Sequence, residues 1–181
     1  PDGRRVMAPG TVIISAAAPV RDIRRTLSPV LVQKKSSTLY YIDFAGDTLR
    51  LGGSALAQTM GLVGNKAPEV DAVTLAHAFG AVQTIVRMRK ALAMHDVSAG
   101  GLVTTLLEMA FTNTSGGLEI DLSEMAGSMG GDLVSALFAE NPAVVMQVDN
   151  GTAESVEAIL KEAGVRYFAI GHPVAAGRAL K

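Results

Sequence analysis

Cysteine is absent from the sequence, which excludes disulfides, thiolate metal centres and cysteine nucleophiles. A Cys-free chain fits a reducing compartment. A basic excess is also missing: 16 Lys and Arg stand against 17 Asp and Glu, for a net charge of −1. Without surplus positive charge the chain lacks the electrostatic footprint of a nucleic-acid binder. Long apolar runs are lacking as well. Stretches such as Val12–Ala18 fall far short of the ~20 residues that a membrane-spanning helix needs. The opening Pro1–Arg5 leads into no apolar h-region, so no secretory signal is read there. Charge is scarce, at 18% of residues against 49% hydrophobic, where about a quarter is usual for soluble chains. That bias is the opposite of a disordered segment's. The 181 residues suffice for one well-packed domain.

No Met begins the sequence, and it closes on Ala179-Leu180-Lys181 without a terminal signal. It reads as a single domain, residues 1–181, cut from a larger multidomain protein. The high apolar fraction then predicts exposed apolar surface where neighbouring domains dock, and a tendency of the isolated piece to self-associate.

Helical and strand-like segments are mixed along the chain. Gly10–Val20 is β-branched, then small, and predicts a buried strand ended by Pro19. Arg21–Leu27 reads as a short helical turn. Leu39–Phe44 alternates as a strand, Ala45-Gly46-Asp47 as a turn, and Thr48–Leu51 as a return strand. Ser54 caps a short helix, Ala55–Met60, ended by Gly61. From Asp71 to Met94, Val73, Ala76, Phe79, Val82, Ile85, Val86, Met88 and Leu92 recur at helical spacing. Arg87, Arg89 and Lys90 then suit the negative end of the helix dipole. Leu102–Phe111 is a further helix, Leu118–Leu122 a strand, and Asp132–Ala139 a short helix capped by Asp132. Ala143–Val148 is a strand and Asp149-Asn150-Gly151 a turn. Thr152–Ala163 is an amphipathic helix with Thr152 as N-cap and Gly164 at C′. Val165–Ile170 is the last strand. The alternation is too irregular for a doubly wound parallel sheet. A mixed sheet with helices packed on it, on one face or both, is expected.

Chemistry concentrates in Met94-His95-Asp96-Val97-Ser98-Ala99-Gly100-Gly101-Leu102. A polar cluster is followed by two glycines that permit a close approach or a positive φ, and by a helix whose first N–H groups are free. Asp96 is a hard oxygen ligand suited to Mg²⁺, and Ser98 can hydrogen-bond a phosphate. The same residues also read as an Asx-turn and helix N-cap joining two helices. Leu51-Gly52-Gly53-Ser54-Ala55 offers a second glycine turn before a Ser-capped helix, readable as a phosphate loop or as a plain N-cap. No Gly-Lys-Ser/Thr follows, so it is not a Walker A loop. His77, in an apolar helix, reads as a core or interface histidine, and His172 as structural. Glu108 is either the partner of a buried polar group or an exposed carboxylate. Gly127–Gly131 is glycine-rich but follows no strand, so no dinucleotide fingerprint is supported. No His/carboxylate spacing suits zinc, and no Ser/His/Asp set can be assembled.

The stretch His95–Leu102 resembles the H-D-x-S-D-G-G-L stretch of the phosphoribosylformylglycinamidine synthases. Ala8-Pro9 with Val12–Ala16, the Leu51–Gln58 run, Leu107–Phe111, Leu137–Glu140 and Gly171–Val174 agree with that family in order and spacing. The resemblance covers nearly the whole chain. It implies the C-terminal, aminoimidazole-ribonucleotide-synthetase-like domain of the second half of the long enzyme form. The implied fold is three-layer α/β/α with a mixed sheet, partly ferredoxin-like. The implied activity is an ATP-dependent C–N ligase of purine synthesis, located in the cytoplasm, with glutamine as amide donor and Mg²⁺ and ATP or ADP as cofactors. By the same resemblance Asp96 is a Mg²⁺ ligand and Ser98 a nucleotide contact, with an auxiliary nucleotide site favoured over the catalytic one. His95, Gly100, Gly101, Gly52, Gly53 and Ser54 form the phosphate-loop or supporting set. No catalytic residue is expected in this piece, which alone would be inactive. Its partners would be the remaining synthetase and glutaminase domains and small-molecule substrates, with no nucleic acid and no membrane. Ala99 departs from the pattern, where the family has Asp. Two other readings stand beside this one: a domain of the related selenophosphate-synthetase or hydrogenase-maturation class, and a structural or dimerisation domain with no ligand site.

Overall fold

The computed structural model describes residues 13–20, 22–63 and 66–175. Its strands are β1 (Ser37–Asp43), β2 (Ala91–Val97), β3 (Gly117–Ile120), β4 (Ala143–Asp149) and β5 (Tyr167–Val174). The helices are α1 (Ala55–Thr59), α2 (Ala72–Arg87), α3 (Gly101–Phe111), α4 (Ser123–Ser128), α5 (Leu133–Phe138) and α6 (Asn150–Glu162). The strands form one sheet in the order β2-β4-β1-β5-β3.

Every neighbouring pair is antiparallel, not mixed as the sequence suggests. The reason lies in the connections. β1-α2-β2 and β4-α6-β5 are both split units: each crossover skips one strand, and the strand filling the gap belongs to the other unit and runs the opposite way. These four strands form a ferredoxin-like core. The segment α3-β3-α4-α5 is inserted between the two units.

Helices cover both faces, so three layers result. Alternate residues of β1 point to opposite sides. Tyr40 and Ile42 meet Ala78, Val82 and Ile85 of α2 and Val156 and Leu160 of α6. Leu39 and Tyr41 meet the face packed by Leu102, Leu106 and Met109 of α3, Met125 of α4 and Ala136 of α5. Glycine at C′ and acidic caps fix several ends as expected. Asp132 accepts from the Ser135 N–H at 2.7 Å, and Gly164 has a left-handed φ of +66° after α6.

Four elements differ from the sequence reading. Residues 13–20 form no strand, and Ile13 and Ile14 are 88% and 86% exposed; residues 10–12 of that expected strand lie outside the described residues. The Thr48–Leu51 segment gains no strand partner. Instead the buried Asn141 side chain reads its backbone, donating to Thr48 O at 2.9 Å and accepting from Arg50 N–H at 3.2 Å. The long helix stops at Arg87: Arg89 adopts φ +56° and the Lys90 N–H returns to Ile85 O at 3.1 Å. Ala91–Val97 then becomes β2, an edge strand on β4. Finally, α6 is capped by Asp149, whose carboxylate accepts from Gly151 N–H at 2.8 Å, and not by Thr152. Helix α4 is an element that the sequence reading lacks; its tail is the glycine-rich Gly127–Ser128.

Several large apolar side chains are exposed. Val73 and Phe79 on α2, Met60, Leu62 and Val63 beyond α1, and Phe111 at the end of α3 are each more than half exposed. Among the described residues no helix is long and apolar enough to cross a membrane.

Candidate functional site

Asp43 at the end of β1 and Val97 at the end of β2 both register with Ala143 at the start of β4. The loops leaving β1 and β2 and the segment entering β4 therefore meet at one end of the sheet. Residues 52–55 after β1, residues 95–101 in and after β2, and residues 139–141 before β4 all lie there.

The loop after β1 is held by charge. Asp43, fully buried, accepts from the N–H groups of Ala45 and Gly46 at 3.0 and 3.1 Å and from Arg166 Nη2 at 2.7 Å. Asp47 pairs with Arg50. The hydrogen-bonded Arg50 guanidinium holds the Asp47 carboxyl well below the usual carboxylate range. A cavity of about 450 Å³ adjoins this loop, lined by apolar groups and by Arg50 and Lys66. Both cations already have partners, in Asp47 and Glu69.

Asp96 and Ser98 sit where β2 passes into the turn before α3. The Asp96 backbone is fixed, because its carbonyl accepts from the buried Thr105 hydroxyl at 3.0 Å. Its side chain is 73% exposed. His95 is mostly covered and stands between two carboxylates: Nδ1 lies 3.3 Å from Asp96 Oδ1, and Nε2 lies 3.2 Å from Glu108 Oε2. Glu108 on α3 is thus the partner of a half-hidden polar group. Ser98 is exposed. Its carbonyl accepts from Gly101 N–H at 3.0 Å, while among the described residues its hydroxyl takes no hydrogen bond. Helix α3 has Gly100 at its N-cap and no side-chain cap. Neither Asp96 nor Ser98 is therefore used as a cap, and the turn leaves both polar groups uncommitted to the fold beyond the His95 contact.

The glycines of this turn are structural necessities. Gly100 has φ +90° and Gly101 φ +74°. A Cβ on Gly101 would come within 2.8 Å of the Leu137 carbonyl oxygen and 2.7 Å of the Phe138 carbonyl carbon. The second glycine turn is likewise filled by the chain itself. A Cβ on Gly52 would lie 2.2 Å from the Lys66 backbone, and Gly53 has φ +75°. Ser54 is buried, accepts from Ala57 N–H at 3.2 Å and donates to Leu51 O at 2.8 Å. Its hydroxyl is thus spent on capping α1, which corrects the phosphate-loop reading of Ser54.

Glu140 is the group that the sequence reading misses, giving it no role beyond its place in the Leu137–Glu140 match. Its Oε1 accepts from Gly100 N–H and from Ala55 N–H, each at 2.8 Å. Sequence spacing offers no signal for such a bridge between three separate connections. The remaining histidines lie away from this end. His77 is exposed on α2 and is not a core residue. His172, also exposed, faces Glu119 across β3–β5 at 3.9 Å.

Among the described residues no group of three or more His, Cys, Asp or Glu is arranged to hold a metal ion. At this turn the described residues offer a cation the exposed carboxylate of Asp96. That fits Mg²⁺, which keeps several waters and is commonly held by one or two carboxylates together with ligand phosphates.

The family described as AIR synthase related protein, C-terminal domain, matches residues 39–179. The chain belongs to this family. A protein of Arabidopsis thaliana described as a probable phosphoribosylformylglycinamidine synthase, chloroplastic/mitochondrial, is 38% identical over 173 residues. The match takes in 94% of this chain but only 12% of that protein's length. Among solved structures, Thermotoga maritima PurL complexed with ATP superposes with a TM-score of 0.64 at 13% identity, over 88% of this chain and 25% of that one. The hydrogenase maturation protein HypE of E. coli reaches 0.54 at 20% identity, over 86% and 48%. At these identities the two structures establish the fold alone. The three-layer α/β arrangement of this AIR-synthase-related domain is the one the resemblance implies.

Proposed function

We propose that this chain is one domain of a ligase that converts formylglycinamide ribonucleotide, glutamine and ATP to formylglycinamidine ribonucleotide, glutamate, ADP and phosphate. Its part is to contribute Mg-nucleotide contacts and interdomain packing. The 38% identity to the Arabidopsis protein supports the reaction. The observation that carries the site is that Asp96 and Ser98 project from a rigid turn with neither side chain used as a cap. Asp96 would hold Mg²⁺, which when bound offsets the negative charge of nucleotide phosphates. Ser98 would donate to a phosphate oxygen. His95, braced by Glu108, holds the strand end beside Asp96 through Nδ1, 2.9 Å from the Asp96 backbone carbonyl oxygen. The glycines at 100 and 101 shape the turn, and the site is of the auxiliary, nucleotide-retaining kind. Ala99 brings no carboxylate to this turn.

The partners are the other synthetase-like and glutaminase domains, docked on the exposed apolar surface, and the reaction is assigned to the cytoplasm. The single domain folds but does not catalyse. The test is an ammonia- and ATP-dependent assay with formylglycinamide ribonucleotide. A polypeptide joining this domain to the other synthetase domains is expected to form the amidine, and the 181-residue chain none. Activity of the chain alone, or none in the joined protein, overturns the reading.

A further inference from the structure

The turn that presents Ser98 and the turn that starts α1 come from different connections, yet one atom joins them. Glu140 Oε1 receives both the Gly100 and the Ala55 N–H, each at 2.8 Å. These donors lie where α3 and α1 begin, and the first N–H groups of a helix have no partner within it. A charged acceptor suits them, because a carboxylate makes shorter and stronger hydrogen bonds than a neutral one. The segment that brings Glu140 into place also secures both turns directly. Just before it, the Leu137 and Phe138 backbone closes on Gly101. Just after it, Asn141 holds the backbone of Thr48 and Arg50.

We infer that Glu140 is a positioning residue: its carboxylate fixes the Ser98–Gly101 turn, and with it the Asp96 and Ser98 side chains, by seating that turn and the Gly52–Ala55 turn on one oxygen. Its consequence for nucleotide binding rests on the function proposed above; its geometry does not. Because the chain's own carboxylate takes the Gly100 and Ala55 N–H groups, those two donors are not open to a ligand phosphate at this turn.

The test compares wild type with Glu140→Ala and Glu140→Gln in two measurements. The first follows amide hydrogen exchange of Ala55 and Gly100 by NMR in the present chain. Glu140→Ala is expected to speed exchange at both amides together by about tenfold or more, and sodium formate, unlike chloride at equal ionic strength, to slow both again. Glu140→Gln, which keeps an acceptor but no charge, should fall between and reports on the bridge if the alanine variant fails to fold. Exchange that changes at only one amide, or that formate leaves unaltered while Glu140→Gln matches wild type, overturns the inference. The second measures Mg-ATP affinity in the joined synthetase domains. Glu140→Ala is expected to weaken it about tenfold, with recovery in formate, and unchanged affinity overturns the positioning role. Wild type that binds no Mg-ATP, with the formate effect on the amides intact, overturns the proposed function and supports the bridge.

Discussion

Gln147, fully buried in β4, reads both backbone groups of Val32 with its side-chain amide: Nε2 donates to the carbonyl at 2.7 Å and Oε1 accepts the N–H at 2.8 Å. The same Nε2 donates to Ser37 Oγ at 2.8 Å. A side chain here does the work of a neighbouring strand, tying the segment before β1 to the sheet. Gln147→Leu would keep about the volume and take the acceptor from the Val32 N–H, leaving Val32 O only the Lys34 N–H and Ser37 Oγ only the Lys34 carbonyl. Unfolding in urea should show a loss of about 2–3 kcal/mol, and a loss within error would show that the segment finds other partners.

Arg166→Met tests the buried charge of Asp43. Removing one partner of a buried ion pair costs about 3–5 kcal/mol in a closed interior. Arg166 is 34% exposed at its side chain, and Asp43 keeps two backbone donors. The expected cost is therefore reduced to about 2 kcal/mol, read from chemical denaturation. Asp43→Asn with Arg166→Met together should cost less than the sum of the two single changes.

Gly101→Ala addresses the turn before α3. The backbone of Leu137 and Phe138 is too close for a methyl group, and φ is positive. A loss of about 2–3 kcal/mol is expected, with altered chemical shifts at Ser98. An alanine variant as stable as wild type would show that α5 can back away.

Acid should destabilise the chain through its capping and paired carboxylates. Asp47 is lowered by Arg50, Glu157 by the Tyr40 hydroxyl, and Asp71, Asp121 and Asp132 by the N–H groups of Thr74, Ser123 and Ser135. A carboxyl whose folded pKa is depressed adds stability above its unfolded value, near 4, and loses it as pH falls through the folded one. Tm should therefore be flat between about pH 5 and 7 and fall below about pH 4. At the alkaline end burial raises Tyr40 and Tyr41, so stability should fall above about pH 10. Asp47→Asn should lower Tm at neutral pH and shallow the acid fall; an unchanged acid limb would remove Asp47 from this account.

Much of this architecture is legible in the sequence where a local rule decides. Ser54, Asp132 and Gly164 mark helix ends by their own hydrogen bonds or backbone freedom, and these are readable without a structure. The rest depends on distant partners. Ala91–Met94 are good helix formers, and what makes them a strand is the left-handed Arg89 and a place beside β4. Thr48–Leu51 looks like a strand, but its partner is the Asn141 side chain. In the site, Asp96 and Ser98 stand out by residue type and spacing. Glu140 does not, because its meaning comes from two N–H groups far away in sequence. The antiparallel sheet follows from the interleaving of two split units, which no single segment encodes.

The central claim, that Asp96 holds a Mg-nucleotide, is tested most directly by counting bound nucleotide. Wild type and Asp96→Asn of the joined synthetase domains would be purified with Mg²⁺ and ADP present, and nucleotide per chain measured together with Tm. The amide keeps the size of the carboxylate and loses its charge, so Asp96→Asn is predicted to lose most of the nucleotide and to melt at a lower temperature. Full nucleotide content with an unchanged Tm would contradict the claim and leave Asp96 as a residue of the turn.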